Sequence, residues 1–250
     1  SYSRDWSIFK VEPELVVFPK DAKDLSSLVS FVKTKKNVSL TARSGGSDMA
    51  GGPLSSSIVV DFSKHMNKLV KSGKDTVTAQ PGMYYRDLEK ENAKRGLLLP
   101  SYPSSKNLCA VGGMVGNNAG GEKSLIYGKT ANYVKQLKVI LADGKEYVLK
   151  PLTEQELKKK MKLDSFEGKI YKKMVKLIQD NYELLQKAKP NVSKNSAGYA
   201  LWDVWNGKVF DLTKLFVGSQ GTLGLTTEVQ FKLVEPKKHS AVLVIFLKDI

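Results

Sequence analysis

The hydrophobic pattern of the first third of the chain alternates between strand-like and helix-like segments. Two short apolar runs, PELVVFP at 13–19 and VSLTA at 38–42, have the composition of buried strands. A helix is predicted between them, because Asp21 can cap its first turn and lysines gather at its end. Its apolar residues recur at helical spacing: Leu25, Leu28, Val29 and Val32. The opening therefore predicts a parallel βαβ unit, with the next loop at the carboxyl end of a strand.

The remainder of the chain has the pattern of an antiparallel sheet with added helices. After the strand IVVDF at 58–62, paired strands are predicted around a turn at 72–74, and Asp143-Gly144 marks a hairpin. Thr153 precedes Glu156 with capping-box spacing, and a strand is predicted at 226–233. One helical stripe is expected to be core: Phe166, Ile170, Met174, Ile178, Tyr182 and Leu185. The predicted fold class is α+β, with a small parallel βαβ subdomain at 1–72 and a larger antiparallel subdomain at 73–235.

Composition narrows the class of protein. The 250 residues are 41% hydrophobic, which is typical of a globular protein with a sizeable core. Apolar runs are far shorter than the roughly 20 residues of a membrane-spanning helix, and no secretory leader pattern opens the chain. One cysteine and two histidines predict neither an internal disulfide nor a structural metal site. We therefore expect a cytoplasmic protein without a transmembrane segment.

The net charge of +15 raises the alternative of a nucleic-acid-binding or lipid-binding module. Much of the excess is lysine at 145–194, where glutamates are interleaved and lysines take the polar positions of an amphipathic pattern. No arginine or aromatic repeat accompanies them, as stacking with bases would require. A solvated helix face is the favoured interpretation, and no nucleic-acid partner is predicted.

Glycine-rich segments carry the candidate chemistry. The most prominent runs from Pro100 to Gly128, and others lie at 43–57 and 218–224. Glycine lets backbone N–H groups approach a ligand closely, and the Arg43 guanidinium with its neighbouring serines could add donors for an anion. The spacing differs from the G-x-G-x-x-G of a Rossmann dinucleotide site. We interpret the segments as cradles for a phosphate-bearing cofactor.

Several short motifs, in this order, resemble one flavoprotein superfamily. They are RSGGS at 43–47, QPG at 80–82, PSS at 103–105, VGGMVGNNAGG at 111–121, YG at 127–128 and GSQGTLGL at 218–225. The chain resembles the FAD-binding (PCMH-type) domain of the p-cresol methylhydroxylase and vanillyl-alcohol oxidase superfamily. The branch it resembles most contains the glycolate oxidase FAD subunit and the D-lactate and D-2-hydroxyglutarate dehydrogenases. The resemblance implies a two-subdomain FAD-binding fold at 1–235, followed at 236–250 by the start of a truncated substrate, or cap, domain.

Site residues follow from this resemblance by position. It implies that 43–48 and 111–118 surround the pyrophosphate and ribityl chain, while the other motifs line the adenine end or the flavin ring. The implied cofactor-binding residues are Arg43, Ser44, Gly45, Gly46, Ser47, Asp48, Pro81, Gly82, Pro103, Ser104, Ser105, Val111, Gly112, Gly113, Gly116, Asn117, Asn118, Gly121, Tyr127, Gly128, Gly221, Thr222, Gly224 and Leu225.

Two positions bear on how FAD is attached. Some members of the superfamily bind the flavin covalently through a histidine directly after the Gly-Gly pair, where this chain has Ser47. Cys109 stands near the position of a second covalent bond in another branch, but with different spacing, and a packing role is favoured. Noncovalent FAD is therefore expected.

The resemblance also implies a function. It suggests a flavin-dependent oxidoreductase that oxidises a 2-hydroxy acid by hydride transfer to flavin N5 and passes electrons to a quinone, a partner subunit or oxygen. A sugar or aldonolactone oxidase of the same fold is the alternative. No catalytic residue is predicted, because neither His65 nor His239 falls in a catalytic motif of the family. We expect the chain to be a fragment that binds FAD without turnover, its substrate reaching it through the missing cap.

Overall fold

Three parallel strands form the smaller of two main sheets in the computed structural model, which describes residues 2–192, 194–239, 241 and 243–248. They are β1 (Leu15–Val17), β2 (Leu40–Arg43) and β3 (Ile58–Asp61). β3 lies in the middle, parallel to both of its neighbours. Helix α1 (Ala22–Lys33) connects β1 to β2, and the Asp21 carboxylate accepts hydrogen bonds from the first-turn N–H groups. The predicted βαβ opening is confirmed.

The larger sheet is antiparallel throughout. Its strands are β4 (Leu69–Ser72), β5 (Thr76–Ala79), β6 (Val134–Ile140), β7 (Glu146–Leu149) and β10 (Leu225–Lys232). Their order is β4-β5-β10-β6-β7, and a separate two-stranded sheet joins β8 (Leu152–Thr153) to β9 (Val209–Phe210). The two predicted hairpins are present as β4–β5 and β6–β7. Strand β4 also belongs to this sheet, although it lies within the range 1–72 expected for the N-terminal subdomain, and the subdomain bounds stay a prediction.

Seven further helices complete the described fold. They are α2 (Tyr85–Ala93), α3 (Val111–Gly116), α4 (Ser124–Tyr127), α5 (Glu154–Lys162), α6 (Phe166–Asp180), α7 (Tyr182–Ala188) and α8 (Thr213–Phe216). Short 3₁₀ turns lie at Thr130–Asn132 and Leu201–Asp203. The predicted capping box is present at the start of α5, where the Thr153 N–H donates to Glu156 Oε2 at 2.9 Å. Side-chain caps from Asp21, Thr153 and Ser165 begin three of the eight described helices.

The predicted helical stripe is only partly core. Phe166 is 40% exposed and Tyr182 is 38% exposed, whereas Tyr171, Val175 and Ile178 are buried. Steps of four residues exceed the helical repeat by about 40° each, so a 166-170-174-178 series rotates from solvent into the core. The helix also ends at Asp180, and α7 starts a new axis after Asn181.

The two sheets share a hydrophobic contact near the start of the glycine-rich segments. Ile140 of β6 and Leu225 of β10 pack in the same cluster as Leu25 of α1 and Val60 of β3. The main core lies on the other side, between the larger sheet and helices α2, α3 and α6. The carboxyl end of β2 and the start of β10 therefore lie beside each other, which brings the loops attached to them together.

The C-terminal prediction is not tested in full. Residues 240, 242, 249 and 250 lie outside the described part, and the described residues between 235 and 248 form no helix or strand. Within the described ranges, every helix is too short or too polar to cross a membrane. The same residues contain no group of three His, Cys, Asp or Glu side chains that could hold a metal ion.

Candidate cofactor-binding cleft

Three glycine-rich segments meet around one open cleft. The first segment follows β2, the second includes α3, and the third precedes β10. A concave surface lined by apolar side chains and a few convergent polar groups is typical of a site for a small organic ligand. Segments that are far apart in the sequence thus form a single concave surface.

Direct backbone contacts hold the three segments to one another. The Gln220 N–H donates to Gly116 O at 3.0 Å, and the Gly218 N–H donates to Val115 O at 2.9 Å. The first segment joins the second at Gly45, whose backbone packs on that of Leu108 and Ala110. The cleft walls are therefore fixed by main-chain packing, which a side chain at Gly45 would disturb.

The first segment presents hydrogen-bond donors that the protein does not use. Among the described residues, the backbone N–H groups of Gly45, Gly46, Ser47 and Asp48 have no hydrogen-bond partner. Nη1 of Arg43, at the same wall, is buried and has no partner in the described part of the chain. Buried or clustered donors without acceptors are costly, so this wall is suited to an anionic group such as a phosphate.

Asp48 has a structural rather than a ligand-facing set of hydrogen bonds. Its Oδ2 accepts from the N–H of Gly52 at 2.7 Å and from the N–H of Ala50 at 3.2 Å. These bonds fold the loop back on itself directly after the unpartnered donors. The carboxylate is thereby occupied by the protein, which reduces its repulsion of an anion at the neighbouring N–H groups.

Part of the cleft lining is apolar. Phe62, Met114 and Phe216 are buried, with exposures of 2%, 1% and 9%, and each contributes to the wall together with Pro81. A cleft with donors at one wall and apolar side chains at another fits an amphipathic cofactor that carries both phosphates and an aromatic ring system. The residues present therefore fit FAD.

Most of the residues predicted from the motifs line this cleft. They are Arg43, Ser44, Gly45, Gly46, Ser47, Asp48, Pro81, Pro103, Ser105, Gly112, Gly113, Gly116, Asn117, Gly221 and Gly224. That they bind the cofactor stays a prediction, but their convergence on one surface is a property of the fold.

Nine predicted residues do not line the cleft: Gly82, Ser104, Val111, Asn118, Gly121, Tyr127, Gly128, Thr222 and Leu225. Val111 and Leu225 are buried in the hydrophobic core. Gly82 packs against the backbone of Phe62 and Met66, and Gly121 packs against that of Tyr102. At these two positions glycine serves close packing of two protein segments, which produces the same sequence signal as close approach of a ligand.

Asn118 faces a second, smaller cavity and supports the cleft from behind. Its Oδ1 accepts the Ala131 N–H at 3.0 Å, and its backbone oxygen accepts the Ser196 hydroxyl at 3.1 Å. Its φ of 46° lies in the left-handed region that asparagine tolerates better than most residues. Asn118 therefore anchors the end of α3 and turns the chain away from the cleft.

Tyr199 is a supporting residue without a predicted role. Its hydroxyl lies 2.7 Å from Thr222 Oγ1, and Thr222 in turn donates to Ser219 O at 2.6 Å. Because Ser196 of the same segment reaches Asn118, residues 196–199 connect the second glycine-rich segment to the third. In the sequence, the feature that could have pointed to this role is the motif KNSAGYAL at 194–201. Its Gly198, which precedes Tyr199, has a φ of 67°.

Cys109 is a buried thiol at the wall of the cleft. Its side chain is 5% exposed, and burial raises the pKa of the thiol to about 12. A thiol with this pKa is almost entirely protonated at neutral pH and is a poor nucleophile. The environment therefore supports packing over covalent attachment, as the sequence suggested.

Comparison with known proteins gives the cleft a family context. The family model described as "FAD binding domain" matches residues 13–150, which is more than half of the chain. Alkyldihydroxyacetonephosphate synthase, solved in a P212121 crystal, has a similar fold, with a TM-score of 0.60 and 22% identity over 92% of this chain and 33% of that one. At this identity the structural likeness concerns the fold alone.

Curated relatives of similar sequence are named as oxidoreductases. D-2-hydroxyglutarate dehydrogenase of Escherichia coli (strain K12) is 29% identical over 94% of this chain and 24% of its own length. The glycolate oxidase subunit GlcD of Bacillus subtilis (strain 168) is 29% identical over 94% of this chain and 40% of its own length. D-lactate dehydrogenase of Archaeoglobus fulgidus is 26% identical over 92% of this chain and 41% of its own length. The chain thus spans from about a quarter to two fifths of the length of these relatives.

Proposed function

Because the chain belongs to the FAD binding domain family, we propose that its cleft holds FAD for a flavoenzyme that oxidises a 2-hydroxy acid. The observation that carries this proposal is the row of N–H groups at 45–48 without partners among the described residues, beside Arg43, whose buried Nη1 has none there either. The class of substrate is supported by the names of the relatives, which act on D-2-hydroxyglutarate, glycolate and D-lactate. These relatives are longer, so substrate binding is assigned to regions outside this chain.

Each wall of the cleft has a defined task in this proposal. When bound, FAD supplies the acceptor for the hydride that leaves the substrate Cα. Arg43 and the N–H groups of 45–48 bind the pyrophosphate, and Phe62, Met114 and Phe216 exclude water from the flavin side. Tyr199 and Asn118 keep the second and third glycine-rich segments in register. No described residue is assigned as a catalytic base.

We further propose that the FAD is bound noncovalently. The position after Gly45-Gly46 is Ser47, and the only cysteine of the chain has a thiol that burial keeps protonated. After precipitation of the FAD-loaded protein with trichloroacetic acid, the yellow colour is expected in the supernatant. Colour that stays with the pellet would contradict noncovalent binding.

The reaction itself is tested with the gene that encodes this sequence and whatever flanks it. The product of that gene should reduce a dye acceptor when one of the D-2-hydroxy acids is supplied as the electron donor. The 250-residue chain loaded with FAD should not. Oxidation of a sugar or an aldonolactone instead of a hydroxy acid would contradict the proposed substrate class. Turnover by the 250-residue chain would contradict the assignment of substrate binding to other regions. We also propose a cytoplasmic location, which cell fractionation would test.

A further inference from the structure

The N-terminal residues 2–9, which we name the strap, lie directly on the loop that carries the unpartnered donors. The Trp6 N–H donates to Asp48 O at 3.0 Å, and Oδ2 of Asp5 accepts the Gly51 N–H at 3.1 Å. The backbone oxygen of Arg4 accepts from Nη2 of Arg43 at 2.9 Å. The strap therefore contacts both the guanidinium and the far side of the loop, although it does not line the cleft.

Asp5 is the centre of the strap. Its Oδ1 accepts the Ser7 N–H at 2.9 Å and the Ser7 hydroxyl at 2.5 Å, while Oδ2 bonds to the loop. Ser7 Oγ in turn accepts the Phe9 N–H at 3.1 Å. One carboxylate thus fixes the turn of the strap and fastens that turn to Gly51, so both oxygens are needed at once.

The loop is shaped to receive the strap. Gly51 has a φ of 84°, and a Cβ at this position would lie 3.1 Å from the Phe9 ring. On the other side, the Arg43 guanidinium stacks near the Tyr2 ring, with 5.4 Å between Cζ and the ring centroid. Gly46 lies against the same guanidinium, since a Cβ there would be 2.5 Å from Nη2. Arg43 is consequently held on three sides by the strap and its own loop.

This packing engages one of the two terminal nitrogens of the guanidinium. Nη2 donates a hydrogen bond to Arg4 O, whereas the buried Nη1 has no partner among the residues that the structure describes. An arginine whose position is already fixed loses less conformational entropy when it binds an anion. The N–H groups of 45–48 should also lose less conformational entropy on binding, because their loop is fastened to Asp5 through the Gly51 N–H.

We propose that the strap is a positioning element, in which Asp5 fixes Arg43 and the N–H groups of 45–48 in the arrangement that receives the FAD pyrophosphate. The inference rests on the proposed function, because it concerns the same cleft. Asp5 acts through the loop and does not contact the ligand. Loss of its hydrogen bonds should weaken the binding of phosphate-bearing ligands while leaving the flavin side of the cleft intact.

The test compares Asp5→Asn and Asp5→Ala with the matched control Glu12→Gln in the purified 250-residue chain. An asparagine has one acceptor oxygen, so it can serve Ser7 or Gly51 but not both. Glu12 is exposed and pairs with Lys10, away from the loop. Dissociation constants are measured for FAD, for ADP by competition, and for riboflavin, with circular dichroism to establish that each variant is folded.

Both Asp5 variants are expected to weaken the binding of FAD and of ADP by at least about tenfold, because the loop donors and Arg43 must then be ordered when the ligand binds. Riboflavin binding should be unchanged, and Glu12→Gln should bind all three ligands as the wild type does. If FAD and ADP bind the folded Asp5 variants as tightly as the wild type, the proposal is wrong. Equal weakening of FAD and riboflavin would also overturn it, because a general loss of structure would have that effect.

A double-mutant cycle separates positioning from an independent structural role. In an Arg43→Ala background, Asp5→Ala should weaken FAD by no more than about threefold, because Arg43, one of the groups that Asp5 positions, is gone. Fully additive losses would contradict the proposal. If the wild-type chain binds no FAD at all, the proposed function itself fails. If the wild type binds FAD and the Asp5 substitutions leave that affinity unchanged, only the role of Asp5 is wrong.

Discussion

Gly45 and Leu108 are packed so closely that a Cβ on Gly45 would lie 2.6 Å from the Leu108 carbonyl oxygen. The contact joins the loop after β2 to the segment before α3, and both line the cleft. Since the neighbouring atoms belong to backbone, they cannot move aside as a flexible side chain could. The position of the first glycine-rich segment therefore depends on the absence of a side chain at residue 45.

Gly45→Ala should lower both the stability of the chain and its affinity for FAD. Overpacking of this kind costs about 1–3 kcal/mol of the free energy of unfolding, measured by urea denaturation. Gly116→Ala is the matched control, because its Cβ would meet only Gln220 Cα at 3.7 Å, an ordinary contact. The unfolding free energy of Gly116→Ala should equal or exceed that of the wild type. Equal stability of the two variants would contradict the close packing at Gly45.

Tyr199→Phe removes the hydroxyl that joins residues 196–199 to Thr222. Loss of one hydrogen bond should cost about 0.5–1.5 kcal/mol of unfolding free energy, and FAD should dissociate faster because the third glycine-rich segment is less well held. Tyr182→Phe is the control, since the Tyr182 hydroxyl has no hydrogen bond within the described part of the chain. FAD release is measured by stopped flow. If both variants release FAD at the same rate, the Tyr199 hydroxyl does not help to hold the third glycine-rich segment.

Asn92 places a polar side chain in the interior of the protein. It is 2% exposed, and neither Oδ1 nor Nδ2 has a hydrogen-bond partner among the described residues. Asn92→Leu should raise the unfolding free energy by about 1–2 kcal/mol, because it removes two buried polar atoms and retains a similar volume. Asn92→Asp should instead lower it, since a buried charge would be added. A lower melting temperature for Asn92→Leu would indicate that Asn92 has polar partners.

The Asp5 carboxyl predicts a pH dependence of stability. Burial raises its pKa, but the hydrogen bonds from Ser7 and from the Gly51 N–H outweigh burial and hold the pKa below its usual range. A depressed pKa contributes stability above the unfolded value, about pH 4, and the contribution is lost as pH falls through the folded value. Melting temperatures of wild type and Asp5→Asn should therefore converge below about pH 4. A difference that stays constant down to acid pH would contradict this linkage.

Local signals in the sequence were sufficient for most elements of the fold. The Asp21 cap, the capping box at Thr153 and the Asp143-Gly144 hairpin depend on interactions within a few residues, and each is present. The place of β3 between β1 and β2 could not be read in this way, because strand order depends on contacts between distant segments. The same limit applies to β4, whose partner strand decides the sheet to which it belongs.

The glycine motifs predicted the cleft better than they predicted its individual contacts. Gly45 and Gly113 line the cleft, whereas Gly82 and Gly121 allow two protein segments to pack. Both situations require a missing side chain, so the sequence alone cannot distinguish them. The strap was missed for another reason. Asp5 acts across more than forty residues of sequence on Gly51, and no periodic pattern accompanies such a contact.

Equilibrium titration of the purified chain with FAD, followed through flavin fluorescence with ADP as competitor, tests whether the cleft binds the FAD pyrophosphate. We predict saturable binding of a single FAD per chain, reversed by ADP and weakened by at least about tenfold in Arg43→Ala, which removes a charged donor from the phosphate wall. Absence of saturable FAD binding, or binding that is indifferent to both ADP and Arg43→Ala, would contradict the assignment of the cleft to the FAD pyrophosphate.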